Sequence, residues 1–330
     1  MASFNQYYNG IYYYTRAALI YRELRRYLRK DFGKDLNFPD TVKKEYFYHS
    51  PFYNRTKQYM HANHFFGELM CLLRGKTIQA DERMRFANLS SCAPIFDDFF
   101  EKEYNLEHIH QLLHHPDPSK TKNEEELLAV HFLNNILSST QEREEFIKVA
   151  EELFQAQMES KKQIDIELTN KQLLDISIRK GGYSGLMYAH LLNDSRDCEF
   201  LEIAYDLGSF GQLMDDVFDI YDDAKEGLRT FANQCQTIDE MEQIVNTHQR
   251  KIIDKVKLLS NKNYETHHFL KVFQIFSSTI ELALNHYKKI EAEHHTAPFQ
   301  CLNLSRKLWV IDMEKPANIW RLFHLSVQNL

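Results

Sequence analysis

Apolar residues recur every three to four positions along most of the chain, with polar residues between them. That spacing gathers the apolar side chains on one face of an α-helix. It predicts helices over residues 5–31, 54–74, 80–104, 123–137, 140–160, 170–193, 198–225, 236–260, 264–294 and 302–326. Breakers fall between them, at Asn37-Phe38-Pro39-Asp40, His115-Pro116-Asp117-Pro118 and Thr296-Ala297-Pro298. Strands would need strict alternation bounded by turn pairs such as Asn-Gly. Asn9-Gly10 is the one such pair, and it stands in a tyrosine-rich start rather than between two alternating runs. The pattern therefore predicts an all-α fold.

Composition sharpens this picture. The 330 residues include only 10 Gly and 7 Pro, so turns are few and helices long. No Gly/Ser-rich linker and no internal repeat divides the chain. We read residues 1–330 as one helical domain, with 1–50 a helical extension and 300–330 a helix capping the rest. The net charge of −7 argues against a nucleic-acid partner, which would call for a basic stripe. Apolar runs stay well short of the ~18 residues of a membrane-spanning helix, so no integral membrane segment is expected. The start lacks the pattern of a secretory signal. Cys71, Cys92, Cys198, Cys235 and Cys301 are scattered, odd in number and without a CxxC pair. They read as reduced thiols of a cytoplasmic protein. The run Tyr21 to Arg26 reads as a solvated basic helix face.

The unusual chemistry is acidic. "GQLMDDVFDIYDDAKEG", residues 211–227, holds five aspartates between Asp215 and Asp223, threaded with Leu213, Val217, Phe218 and Ile220. Asp215, Asp219 and Asp223 share a helix face at i, i+4 and i+8. Like charges at that spacing repel, and partial burial raises the cost further. Protonation or a bound cation would relieve it. Hard oxygen donors without His or Cys select Mg²⁺ or a similar ion. A second cluster, "APIFDDFFEKE" at 93–103, places Asp97 and Asp98 one turn before Glu101 among Phe96, Phe99 and Phe100. Two such helices suggest two walls of one cavity, with metal ions bridging them to a diphosphate.

"DDFFE" and "QLMDDVFD" resemble the two aspartate-rich motifs of the class I isoprenoid synthase superfamily. The resemblance spans roughly residues 60–295 in helix order and is sharp at the two motifs. It implies a class I terpenoid synthase-like helical bundle around an apolar pocket, three Mg²⁺ ions, an isoprenyl diphosphate substrate and often a homodimer. Asp97, Asp98 and Glu101 would hold metal from one helix. A prenyltransferase reading of the other gives Gln212, Asp215, Asp216 and Asp219. A terpene-cyclase reading gives Asp215, Asp219 and Asp223. Asp97, Asp98, Asp215 and Asp219 stand as the catalytic set.

The resemblance also implies basic groups around the diphosphate. Arg179, Lys180, Lys225 and Arg229 are candidates, with Arg306, Lys307 and Arg321 as further cations. Gly181, Gly182 and Gly185 imply a kink or a close backbone approach. Phe65, Phe66, Phe96, Phe100, Tyr183, Met187 and Phe210 are candidate pocket walls, and Trp309 and Trp320 candidate caps.

Chain-elongating members carry a basic segment before the first motif. "RGKTIQADERMRF" at 74–86 departs from it. The expectation is thus a terpene synthase that ionises one allylic diphosphate to a cyclic or linear terpene. Prenyl transfer, by chain elongation or head-to-head condensation, is the alternative. A non-enzymatic helical scaffold is the rival outside enzymes. A di-iron bundle is excluded: Glu265-x-x-His268 and Glu291-x-x-His294 lie on one predicted helix, roughly 39 Å apart at ~1.5 Å per residue. The histidine-rich "HIHQLLHHP" at 108–116 could bind adventitious metal but reads first as a solvated face.

Overall fold

Local sequence explains most helix starts. Gln79, Thr169 and Thr230 each form a capping box, in which side chain and backbone exchange hydrogen bonds across the first turn. Asn105, Asn123, Asp197 and Thr237 cap other helices through their side-chain oxygens. Pro51 opens another at a position where no N–H is needed. In the computed structural model, residues 4–39, 42–102, 104–193, 197–259, 264–313 and 315–329 are described.

Among these residues the regular structure is all helical. The elements are α1 (Phe4–Lys30), α2 (Phe32–Asp35), α3 (Lys44–His49), α4 (Pro51–Leu73), α5 (Ala80–Glu101), α6 (Leu106–His114), α7 (Glu124–Ser139) and α8 (Arg143–Ser160). They continue with α9 (Asn170–Ala189), α10 (Cys198–Phe218), α11 (Ile220–Lys225), α12 (Phe231–Gln234), α13 (Ile238–Leu258), α14 (Thr266–His294), α15 (Arg306–Trp309) and α16 (Pro316–Asn329). No described helix is long and apolar enough to cross a membrane.

Six helices form a ring. α4 packs on α5, α5 on α8, α8 on α9, α9 on α10, α10 on α14, and α14 returns to α4. α7 backs α5, and α13 backs α10 and α14. One buried apolar cluster runs through the ring, from Tyr13 to Trp309. Its large fully buried rings include Phe86, Phe99, Phe132, Phe210 and Phe269. Truncating such a ring typically costs about 3–5 kcal/mol.

The closest helix contact is α9 against α10, and glycine makes it. A Cβ on Gly208 would stand 2.2 Å from the Gly181 carbonyl oxygen, and one on Gly185 2.4 Å from that of Ala204. Backbone therefore meets backbone. α9 runs unbroken through Gly181, Gly182 and Gly185, so close approach rather than a kink is the use of these glycines.

Four helix expectations need correction. The helix expected over 198–225 breaks at Asp219, which ends α10 and precedes α11. The one expected over 302–326 divides into α15 and α16, preceded by a 3₁₀ turn over Pro298–Asn303. Pro316 is the reason. It donates no N–H and disfavours helical backbone at the residue before it, so it begins a helix rather than continuing one. The C-terminal helix α16 packs on α14 and α1 rather than over the ring's interior. α6 lies between the predicted helices 80–104 and 123–137, started by the Asn105 cap.

Candidate functional site

The ring encloses a cavity of about 190 Å³. Apolar side chains form its body, among them Leu89, Phe96, Phe100, Phe146, Phe154 and Met187. Polar groups converge on it from four helices: Tyr59 of α4 and Asp97 of α5 meet Lys180 of α9 and Gln212 and Asp215 of α10. One residue from each acidic cluster thus faces one volume. A second cavity of about 160 Å³ shares Tyr59, Ser184, Tyr188, Gln212 and Asp215 with the first. Phe66 and Met70 help to line it.

The two clusters are neutralised differently. On α5, Arg55 of α4 pairs with Asp98 and stands 3.6 Å from Asp97. Tyr59 donates a 2.6 Å hydrogen bond to Asp97 Oδ2, and Lys102 lies 3.4 Å from Asp98. Burial and the Asp97 charge push the Tyr59 phenol well above its ordinary range. Arg55 and Tyr59 lie at i, i+4 on α4 and so share a face. Sequence reasoning missed both, although that spacing of a cation and a hydroxyl was a readable signal. Glu101 is exposed and does not line the cavity, so the first motif does not present all three of its acids there.

On α10 and α11 cations are scarcer. Asp216 is buried, accepting from Ser177 Oγ at 2.5 Å and from Gln212 Nε2 at 3.0 Å. Gln212 also donates to Asp215 at 3.2 Å. Burial raises the Asp215 carboxyl, against the lowering effect of Lys180 and Gln212. Asp215 is nonetheless open to solvent through the cavity, so protein surrounds its carboxylate without sealing it off. Asp216, buried, and Asp219, exposed at the helix break yet crowded by surrounding protein, are each pushed up to about 6, chiefly by desolvation and also by Asp215. Asp223 reaches about 8, through burial and the charges of Asp216, Asp219 and Asp215. Backbone bonds of 2.9 Å from Asp219 N to Asp215 O and from Asp223 N to Asp219 O carry helical spacing across the break. Among the described residues, no three of these aspartates bring ligand oxygens within 4.8 Å of one another.

The candidate cations divide. Lys180 lines the cavity beside Asp215. Arg179 instead pairs with Glu159 at 2.5 Å and lines neither cavity. Arg229 bonds to the Asp165 carbonyl and to Gln234, fixing the loop after α11. Lys225 is exposed. Arg306 holds Asp222 through two 2.6 Å bonds, and its charge also lowers Asp219.

Of the expected walls, Phe96, Phe100 and Met187 line the first cavity and Phe66 the second. Phe65, Tyr183 and Phe210 line neither. Phe65 packs on Phe276 in a groove between α1, α14 and α16. Tyr183 meets Tyr205 edge-on, and Phe210 is sealed against Phe273. Each faces a neighbouring helix rather than the ring's interior. Neither tryptophan caps the cavity: Trp309 is buried on Tyr287, and Trp320 is 63% exposed on α16. Comparison of the chain with protein-family models, with curated proteins and with solved structures finds no match in any of the three.

Proposed function

We propose that this chain is a class I isoprenoid synthase, with a terpenoid synthase-like bundle that binds an allylic isoprenyl diphosphate and ionises it to a terpene. The observation that carries this reading is the shared cavity: Asp97 and Asp215, one from each acidic motif, face an apolar volume together with Lys180 and Gln212. An apolar body with a charged mouth suits a molecule that is a hydrocarbon at one end and a diphosphate at the other.

The donor chemistry fits Mg²⁺. The oxygens are hard, and the α10–α11 cluster carries more carboxylates than nearby cations. The aspartates are not gathered into one closed cage, but Mg²⁺ commonly takes one or two carboxylates and completes its shell with water and phosphate. Asp215, Asp219 and Asp223 would hold it from one wall, and Asp97 from the other once Tyr59 and Arg55 yield. When bound, the ion supplies Lewis-acid stabilisation of the diphosphate leaving group. Lys180 adds positive charge at the same mouth. The faces of Phe96, Phe100 and Phe154 offer cation–π stabilisation to positive charge on the chain. The apolar lining excludes water that would quench it.

A second reading, prenyl transfer, draws on the neighbouring cavity. Two volumes meeting at Gln212 and Asp215 could hold two substrates side by side. Product analysis separates the two readings. The protein is incubated with Mg²⁺ and geranyl, farnesyl or geranylgeranyl diphosphate, each with and without isopentenyl diphosphate. A hydrocarbon or alcohol from a single allylic substrate, lost in Asp97→Ala and Asp219→Ala, is expected. A longer diphosphate made only with isopentenyl diphosphate would establish transfer instead. No Mg²⁺-dependent turnover of any of these substrates would count against both.

A further inference from the structure

The histidine-rich segment at 108–116, expected as a solvated face, is only partly so. His110 and His114 lie one turn apart on α6 and turn toward α8. Their rings are near parallel, with centroids 6.5 Å apart. Glu151 of α8 meets them: its Oε1 lies 2.6 Å from His114 Nε2 and 3.8 Å from His110 Nδ1. All three ligand atoms fall within 4.8 Å of one another, and all three residues are half-buried. Among the described residues this is the one group of three or more His, Cys, Asp or Glu side chains with that geometry.

We propose that His110, His114 and Glu151 form a binding site for Zn²⁺ or a similar first-row transition-metal ion. Two imidazole nitrogens and one carboxylate oxygen suit such an ion and not Mg²⁺. With metal–ligand bonds of about 2.0–2.2 Å, neighbouring donors in a tetrahedral shell stand roughly 3.3–3.6 Å apart. The His110–Glu151 distance is already close to that. The His114–Glu151 hydrogen bond must open by about 1 Å, which side-chain rotation supplies. Water completes the shell.

The site does not touch the acidic clusters, so it stands or falls apart from the proposed reaction. Its consequence is mechanical. The His110 ring packs edge-on to Phe154. Phe154 stacks on Phe96 and meets Phe100, all three in the cavity wall. An ion clasping α6 to α8 would therefore hold that wall in place.

Calorimetric titration of the full chain with Zn²⁺ alone, in a non-chelating buffer near neutral pH, tests the site. One saturable site is expected, with Mg²⁺ giving none at this position. His110→Ala, His114→Ala and Glu151→Gln should each weaken it at least about tenfold, since loss of even an outer-shell partner of a ligand does as much. Asp97→Ala and Asp219→Ala should leave it unchanged. Thermal midpoints should rise with Zn²⁺ in the unaltered protein and not in the histidine variants. His110→Gln, which retains polarity and bulk, serves as a second variant should alanine loosen α6. Co²⁺ in place of Zn²⁺ gives an independent readout, a visible absorption band lost with either histidine. The chain has 16 histidines, so unspecific binding is the competing outcome. Zn²⁺ affinity equal in the unaltered and both histidine variants would mean an adventitious ion only and overturn the proposal. So would the lack of a saturable site below about 100 µM, since an affinity that weak adds little stability at ordinary metal levels.

Discussion

Asp223→Asn tests whether the α10–α11 segment bears the cost of a carboxyl desolvated by burial and repelled by neighbouring aspartates. The Asp223 carboxyl is pushed from an ordinary 3.8 up to about 8. No partner for its side chain is found among the described residues. A carboxyl raised in this way binds its proton more tightly folded than unfolded. Its stabilising effect is full below pH ~4 and is lost as pH rises toward ~8. At about 1.4 kcal/mol per pH unit, the unscreened ceiling is near ~6 kcal/mol. Asp223 is partly open to water, and its neighbours titrate with it, so roughly a third of that, ~2 kcal/mol, is the expected gain from asparagine at pH 8. Unfolding entropy near ~2.1 cal/mol/K per residue gives a protein of this length about 0.7 kcal/mol/K, so the Tm should rise by ~3 °C. Thermal unfolding of both proteins, without divalent ions, across pH 4.5 to 8 measures the gap. It should be near zero at the acid end and widen with pH. The gap also isolates Asp223 from His64, whose pKa burial lowers to about 3 and whose effect runs the other way. Mg²⁺ with pyrophosphate at pH 8 should narrow the gap by stabilising the unaltered protein more. A gap that stays flat with pH, or an asparagine variant less stable at pH 8, would refute the reasoning.

Three further outcomes can be checked directly. Gly208→Ala drives a Cβ into the Gly181 carbonyl and should cost at least about 3 kcal/mol in urea unfolding, because backbone cannot yield as a side chain does. Arg55→Met leaves Asp98 with only Lys102 and should cost about 2 kcal/mol near neutral pH. Ser184→Phe fills space shared by both cavities. It should weaken binding of a farnesyl thiodiphosphate at least about tenfold in calorimetry while costing ~1–3 kcal/mol or less in stability.

Helix identity was legible because it rests on periodicity and caps, which are local. The starts of α9 and α13 follow Thr169 and Thr237, and the long α14 closely matches its expected span. Pro316 was legible too, but its effect was outweighed by the apolar pattern on either side. The facing of "DDFFE" and "QLMDDVFD" across one cavity could be argued from two carboxylate clusters set among apolar residues, each in want of a cation. That Arg55 and Tyr59 share a face of α4 was legible from their spacing; that this face meets the α5 cluster was not. Arg55 reaches Asp98 from another helix, and nothing local in α5 announces it. The same holds for Phe65 and Phe210: an aromatic on a helix shows that it is buried, not which of two neighbours it is buried against.

The glycine seam between α9 and α10 acts as a ruler. With carbonyl seated against backbone and no side chain between, neither helix can slide or roll without the other. The backbone spacing between residues 180 and 215 is therefore set by the seam rather than by deformable side chains. Any breathing of the chamber must be taken up on the opposite side, where α4, α5 and α8 meet through deformable side chains. The half of the mouth that carries Lys180 and Asp215 is thus an anvil, and give in the chamber is easier on the half that carries Asp97.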